Sequence, residues 1–553
     1  MQRAITPPVA GSIAAQWRLA QRPRLIPAVG ITSAQDATIP QAVLYCGRCH
    51  RGSRAVLAVY ALTVIYLLAT IPLAAYGFNS WFLTLLYIFV ARRTAPAPGQ
   101  YEPTVTVQLP VYNERWVVRR LIDAAASLDY PRHRLQIQVL DDSTDDTTSI
   151  AAAAVQRWRQ AGVDIKLIHR RNRLGYKAGA LARGLRQAKG EFIAIFDADF
   201  LPPRDWLRAT VPHFAGRPDV GFVQTRWGHL NGDYSPITRA QVLALDGHFM
   251  VEQTARQRGG LLMGFNGTAG IWRRKCLEDA GGWDARTVCE DLDLSFRAQL
   301  AGWRCLYLPH VVAPAEVPAL VSAFKRQQRR WAMGSTQCLR HLTKPILKSR
   351  LPVWTKAEAL IHLAGYANHL LSLIVLLITL PVLFLKGGLP IDLAFLGIAG
   401  LGPPLLFAVG QVAQGLPSLK RLLYLPMLVI LGMGIACSNS VAVINGLLHD
   451  GGEFQRTPKF SLQGASGEWK DKRYALGLDS TTAMELVFTA YALATMVMAW
   501  LLHESYAMPF LAFYAVGFGY VGLSGVLEQR LAREHTKQSA ALQRQTSSSS
   551  GIM

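Results

Sequence analysis

Asp197-Ala198-Asp199 places two carboxylates two residues apart, directly after Phe192–Phe196, an apolar run that reads as a buried strand. Two hard oxygen donors at a strand end suit a divalent ion that bridges diphosphate oxygens and stabilises a diphosphate leaving group. Asp-x-Asp alone is common in a long chain; the strand before it gives it weight. Asp141-Asp142-Ser143-Thr144-Asp145 closes a second such run, Leu135–Leu140. Its carboxylates suit the base or ribose of a nucleotide, while Ser143, Thr144 and Asp145 are equally good helix caps. Glu290-Asp291 offers a general base for a sugar hydroxyl, or a first helical turn whose acids complement the dipole. In Gln327-Gln328-Arg329-Arg330-Trp331, Trp presents a stacking face to a sugar ring and Arg neutralises diphosphate. The same string also suits a basic membrane-surface helix anchored by Trp.

Regular elements must bring these strings together. Thr104–Leu109, Leu135–Leu140, Asp164–His169 and Phe192–Phe196 read as strands, and helices are expected after Asn113-Glu114, over Ala151–Gln160 and over Ala178–Ala188. Strands separated by helices of roughly 10–15 residues predict right-handed βαβ units and a parallel sheet. Ligands of such sheets gather at the carboxyl ends of the strands, where both aspartate clusters fall.

Of the 553 residues, 51% are apolar and 17% charged, against roughly 25% charged in soluble domains. That excludes a disordered, collagenous or coiled-coil chain and predicts a membrane part. Lys and Arg number 58 and Asp and Glu 36, a net charge of +22. The basic residues flank apolar runs instead of forming one block, which argues for cytoplasmic anchors and against nucleic acid. Seven cysteines, an odd number, make no disulfide framework, and Cys46-Gly-Arg-Cys49-His50 matches the haem-attachment string by coincidence.

The chain divides into a basic amino-terminal region (1–54) without a legible signal peptide, an apolar transmembrane stretch (55–91) and an α/β domain (100–345). Transmembrane or interfacial helices (346–448), a hydrophilic loop (449–482), further transmembrane helices (483–527) and a disordered basic tail (528–553) follow. Residues 55–91 are too long for one straight crossing of a ~30 Å core. Pro72, Gly77, Asn79 and Ser80 predict a break into two short crossings, with one tilted crossing as the alternative. Later crossings are expected at 358–385, 391–410, 422–446, 484–502 and 507–526.

The order Asp, Asp-x-Asp, Glu-Asp, Gln-x-x-Arg-Trp between apolar segments is more specific than any one string. It comes with Val-Gln-Leu-Pro-Val-Tyr-Asn-Glu (107–114), Gln-Val-Leu-Asp-Asp-Ser-Thr-Asp (138–145) and Gly-Tyr-Lys-Ala-Gly-Ala-Leu (175–181). Ala-Ile-Phe-Asp-Ala-Asp-Phe (194–200) and Gly-Phe-Asn-Gly-Thr-Ala-Gly-Ile-Trp-Arg (264–273) continue the set. On these strings the chain resembles the processive inverting glycosyltransferases of family 2, closest to the cellulose-synthase-like mannan and glucan synthases. The resemblance implies a Rossmann-like α/β domain of the GT-A class, cytosolic and flanked by transmembrane helices in the inner or plasma membrane. It implies a nucleotide sugar donor (GDP-mannose or UDP-glucose), a β-linked polysaccharide acceptor and Mg2+ or Mn2+. Tyr112, Glu114, Asp141 or Asp142, and Lys177 would hold the nucleotide, and Asp197 and Asp199 the nucleotide and the metal. Asp291, beside Glu290, would be the base. Phe265, Asn266, Gly267 and Thr268 would floor the acceptor site, with Gln327 and Trp331 on the acceptor and Arg330 on the diphosphate. Arg456, Thr457 and Lys459 stand where these synthases carry a gating loop, though a basic inter-helix loop reads the same way. The chain departs from the pattern in two places. Cys289 replaces a common Thr, and Phe-Asn-Gly-Thr stands where cellulose synthases have Phe-Cys-Gly-Ser, which points to the mannan branch.

If 449–482 closes over a cytosolic site, an even number of crossings must separate it from residue 345, yet three apolar runs lie between. The run 422–446, diluted by Ser438, Asn439, Ser440 and Asn445, is expected to be interfacial or re-entrant. His362, Asn368 and His369 suit a product channel or a helix–helix contact. Two rivals remain: a non-processive β-glucosyltransferase acting on a lipid acceptor such as diacylglycerol, and a transporter or receptor with a degenerate sugar-nucleotide domain. A homo-oligomer or accessory subunit is left open.

Overall fold

The computed structural model describes residues 40–92, 99–385, 394–453, 456–467 and 480–549. The expectations for residues 1–39, for 391–393 at the start of one crossing, and for 454–455 and 468–479 of the hydrophilic loop lie outside them, as do the side chains of Cys46, Cys49 and His50. Two units are distinguished, Met1–Ala58 and Val59–Met553. The described part of the first is the helical stretch from Pro40 onward.

The expected break within 55–91 is absent. α1 (Pro40–Val90) is one helix with Pro72 inside it, and Val56–Val90 forms a single apolar stretch of 35 residues. A proline removes one backbone donor and bends a helix without reversing it. Gly77 serves packing instead of a turn: a Cβ there would lie 2.3 Å from the Ala399 carbonyl oxygen.

The next seven elements are β1 (Val105–Val111), α2 (Val118–Ala126), β2 (Leu135–Asp141), α3 (Thr147–Gln160), β3 (Ile165–His169), α4 (Tyr176–Leu185) and β4 (Phe192–Ile195). They form the expected βαβ series. β3, β2, β1 and β4 lie side by side and parallel. α5 (Trp206–Thr210), β5 (Val220–His229), α6 (Pro236–Gly247), a π turn (His248–Glu252), α7 (Gln253–Arg258), β6 (Gly270–Arg273), α8 (Arg274–Asp279), α9 (Glu290–Leu300) and β7 (Arg304–Ala315) extend it. β6 joins antiparallel between β4 and β5, and β7 runs parallel to β5, giving a seven-stranded mixed sheet. Apolar clusters cover both faces: Val107, Leu109, Val139 and Phe196 on one, Leu140, Ile195, Phe222 and Trp272 on the other. Buried Thr106, Gln108, Gln136 and Gln138 hydrogen-bond across β1 and β2, with Thr106 Oγ1 donating to Gln136 at 3.1 Å and Gln108 Nε2 to Gln138 at 3.0 Å. Buried polar groups paired in this way fix the strand register.

α10 (Val321–Lys348) leads from the sheet into α11 (Val353–Leu363), α12 (Ala367–Leu383), α13 (Gly402–Gln414), α14 (Leu425–Gly434), α15 (Ala436–Leu448), α16 (Thr481–Leu501) and α17 (Met508–Ser549). Four of the described helices are long and apolar enough to cross a membrane, or up to six if each bent pair counts as one span. The crossing expected over 358–385 is bent by 67° between α11 and α12, and 422–446 by 49° between α14 and α15. Gly365, a poor helix former, sits at the first bend. The tail expected to be disordered continues α17 to Ser549. Its Ala, Gln, Glu, Lys and Arg are good helix formers, and extending an existing helix carries no nucleation cost.

Two contacts seat α10 on the carboxyl-terminal helices. Glu528 accepts from the free Val321 and Ser322 amides at 2.8 and 3.1 Å, capping its first turn. Lys325 pairs with Glu485 at 2.6 Å, both almost fully buried.

Candidate active site

The site lies at the carboxyl ends of the parallel strands. At the end of β1, Asn113 is left-handed (φ 55°), a conformation asparagine tolerates. Its amide donates to Ser143 Oγ at 2.8 Å and its Oδ1 accepts from the Thr144 amide at 2.8 Å, tying the β1 and β2 ends together. Tyr112, Glu114 and Asp142 line the cleft beside this turn. Asp142 is held by Arg170 through Nε at 2.7 Å and Nη2 at 2.5 Å. Asp141 does not reach the cleft. It is fully buried, and its carboxylate accepts from the Ser143 amide (3.0 Å) and Thr148 (2.7 Å) and meets His169 (2.9 Å). It shapes the turn, and of the two aspartates only Asp142 lines the cleft.

Lys177, at the start of α4, joins two of the acidic strings. Its Nζ lies 2.6 Å from Asp197 Oδ1 and 4.0 Å from Glu290 Oε1, and donates to the Gly267 carbonyl at 3.1 Å. Burial works against its ammonium, but Asp197, Glu290 and Asp291 together hold its pKa above the ordinary lysine value. Burial raises the carboxyls of Glu290 and Asp291 at the head of α9, with Lys177 pulling both back. Gly267 is left-handed (φ +79°), and an added Cβ would lie 2.6 Å from Asp291 Oδ2. Only glycine lets the loop approach that carboxylate so closely. Of the expected floor, Asn266 and Gly267 line the cleft. Phe265 packs in the core against Phe222 and Trp272, and Thr268 is buried, its Oγ1 accepting from the Asp197 amide at 2.9 Å. An aromatic ring and a hydroxyl flanking a tight loop secure it from behind.

Gln327, Arg330 and Trp331 reach the cleft from α10. Cys289 lies against that helix at Gly334, where a Cβ would come within 2.3 Å of its sulfur. Segment 456–467 adds Arg456, Thr457 and Lys459 to the lining. Lys459 Nζ pairs with Asp199 at 2.6 Å, and Arg456 with Glu114 at 3.1 Å. Burial pushes the Glu114 carboxyl up to about 8, against the pull of Arg456 and Lys459. Thr457 also lines the cleft, its Oγ1 buried and without a hydrogen-bond partner among the described residues.

Several contributors carry no spacing signal in the sequence. Buried Glu316 clamps the segment by accepting from the Phe460 amide at 2.7 Å and the Leu462 amide at 3.1 Å, and it pairs with Arg120 at 3.1 Å. The Arg173 guanidinium lies 3.3 Å from the Tyr112 ring centre; the nearby Gly-Tyr-Lys string was its one available pointer. Gln224 holds the 264–269 loop, accepting from the Asn266 amide at 2.9 Å and donating to the Thr268 and Ala269 carbonyls.

Residues 103–334 match the domain described as glycosyltransferase like family 2. The chain is 44% identical over 259 residues to glucomannan 4-beta-mannosyltransferase 2 of Arabidopsis thaliana, covering 46% of this chain and 48% of that protein. It is 33% identical over 439 residues to probable glucomannan 4-beta-mannosyltransferase 9 of Oryza sativa subsp. japonica, covering 76% of this chain and 82% of that protein. The alignment thus spans about half the length of the first relative and about four fifths of the second. A solved structure of the mannosyltransferase PcManGT from Pyrobaculum calidifontis, in complex with GDP-Man and Mn2+, matches with 24% identity and a TM-score of 0.47, over 70% of this chain and 99% of that one. The ordered strings, the mixed sheet behind them and the extended alignment agree: the chain belongs to family 2 of the glycosyltransferases.

Proposed function

We propose that this protein is a membrane-embedded inverting mannosyltransferase that moves mannose from GDP-mannose onto a growing β-1,4-linked mannan or glucomannan chain at the cytosolic face of the membrane. The observation that carries the reading is the convergence on Lys177 of two acidic strings far apart in the sequence, within one cleft that also holds Asp142 of the third, Arg330 and Trp331. The names of the relatives support mannose over glucose.

Asp291 accepts the proton of the acceptor hydroxyl as that oxygen attacks the anomeric carbon, and the bond to the diphosphate breaks on the opposite face. Lys177 keeps Asp291 and Glu290 poised without neutralising both. Trp331 offers a face to the acceptor sugar, and Arg330 and Arg456 offset the diphosphate charge. Tyr112 and Asp142 hold the nucleotide. Asp197 and Asp199 fit the donor set of Mg2+ or Mn2+, which takes one or two carboxylates plus substrate phosphates; both carboxylates already hold an ammonium 2.6 Å away, from Lys177 and Lys459. Such an ion supplies charge stabilisation of the leaving diphosphate. The contacts of segment 456–467 with this cleft support a shared membrane face for both, a layout in which one of the three apolar runs between α10 and the segment does not cross.

Purified protein in lipid, given labelled GDP-mannose or UDP-glucose, is expected to make a polymer from the former that β-mannanase digests. A single-sugar glycolipid, or a product from UDP-glucose alone, would refute the proposal.

A further inference from the structure

The π turn between α6 and α7 carries two polar residues that the reaction above does not use, His248 and Glu252. π turns are rare and recur at functional sites. His248 Nδ1 lies 2.8 Å from Glu252 Oε2, and His248 Nε2 lies 3.1 Å from Asn266 Nδ2. Asn266 Oδ1 accepts from Gln253 Nε2 at 2.5 Å, and the same Gln253 nitrogen donates to the Gly264 carbonyl at 2.9 Å.

These contacts fix every proton in the chain. A backbone carbonyl only accepts, so the Gln253 atom facing Gly264 is its NH2 group. That group then donates to Asn266, whose facing atom must be oxygen. The other end of the Asn266 amide is therefore NH2 and needs an acceptor in His248 Nε2. With Nε2 as acceptor, the neutral imidazole carries its proton on Nδ1, where ionised Glu252 accepts it. One tautomer satisfies both neighbours, and a flipped Asn266 would set donor against donor at Gln253.

We propose that Glu252 and His248 are positioning residues that lock the Asn266 amide, so that its remaining N–H and oxygen lone pair meet the hydroxyls of the acceptor sugar in the cleft. Asn266 lines that cleft together with Asp291 and Trp331, and its backbone is separately fixed by Gln224. The relay thus sets amide orientation and leaves loop position to other residues. The inference rests on the acceptor being a β-linked hexose chain.

The test is binding of β-1,4-mannohexaose to the full chain in nanodiscs with GDP present, alongside GDP affinity. His248→Phe removes the acceptor for Asn266 and is expected to weaken mannohexaose about tenfold or more at unchanged GDP affinity. His248→Gln and Glu252→Gln each keep an accepting carbonyl and are expected to stay within about threefold of wild type. Should His248→Phe lose GDP binding, Glu252→Leu reads the same relay with the same expectation. Full mannohexaose affinity in His248→Phe, glutamine variants as weak as the apolar ones, or no mannohexaose binding by the wild type would overturn the inference. A chain that shows the expected pattern yet makes no mannan from GDP-mannose would sink the proposed function and leave the relay standing.

Discussion

An added methyl at Gly267 would lie 2.6 Å from Asp291 Oδ2 on a backbone already left-handed. Gly267→Ala is therefore expected to displace Asp291, the proposed base, while the core behind it holds. Misplacement on the ångström scale costs roughly 10²-fold in rate, so kcat should fall by about that factor with GDP affinity unchanged; loss of GDP binding would point instead to a collapsed loop. As the proposed base, Asp291 also gives the reaction an expected pH dependence. It acts only when ionised and burial raises its pKa, so kcat should fall on acidification at a pH above the ordinary carboxylate range. Glu290→Gln removes a neighbouring negative charge and should move that limb to lower pH, read from kcat profiles of the two proteins. Among single residues, Asp142, Asp197, Asp199 and Asp291 were legible because each stands at a strand or helix end in a recognisable string. Glu316, Gln224 and His248 were not. Each is an isolated polar residue whose partners lie far along the chain, so no spacing betrays it.

The elements show the same division. The β1–β4 half of the sheet was legible because buried strands alternate with helices in regular βαβ order. The half built from β6, β5 and β7 was not. β6 has only four residues and no following helix in a βαβ unit, and β5 and β7 pair through register shifts, so no regular βαβ period announces them. α1 reads through its proline and glycine because packing on Ala399, and no turn, requires Gly77. Segment 456–467 is fastened by the Glu316 carboxylate and by Phe460 and Leu462, buried against Ala319, just before α10, and Ala323 in its first turn. Glu316→Ala leaves two buried amides unsatisfied, at roughly 1–3 kcal/mol each. Limited proteolysis at 463–466 should accelerate in that variant with the catalytic domain intact; an unchanged cleavage rate would show that the apolar anchors suffice.

At the scale of the whole molecule, the catalytic domain and the apolar helices are joined through α10. Lys325 and Glu485 are both almost fully buried at their contact. Removing one partner of such a pair destabilises by roughly 3–5 kcal/mol. Lys325→Met should lower the Tm measured in detergent, and Lys325→Met/Glu485→Leu should recover most of the loss. Exposed Ala465 reports topology: cysteine introduced there should be labelled only from the face that holds the catalytic domain.

The central claim is that Asp291 performs base catalysis in a cleft that binds GDP-mannose independently of it. The direct measurement is single-turnover transfer from labelled GDP-mannose by wild type and Asp291→Asn in nanodiscs, with GDP-mannose affinity determined on the same samples. General-base catalysis contributes roughly 10²–10⁴-fold, so transfer should fall by that range at unchanged affinity. Transfer at the wild-type rate in Asp291→Asn would contradict the account.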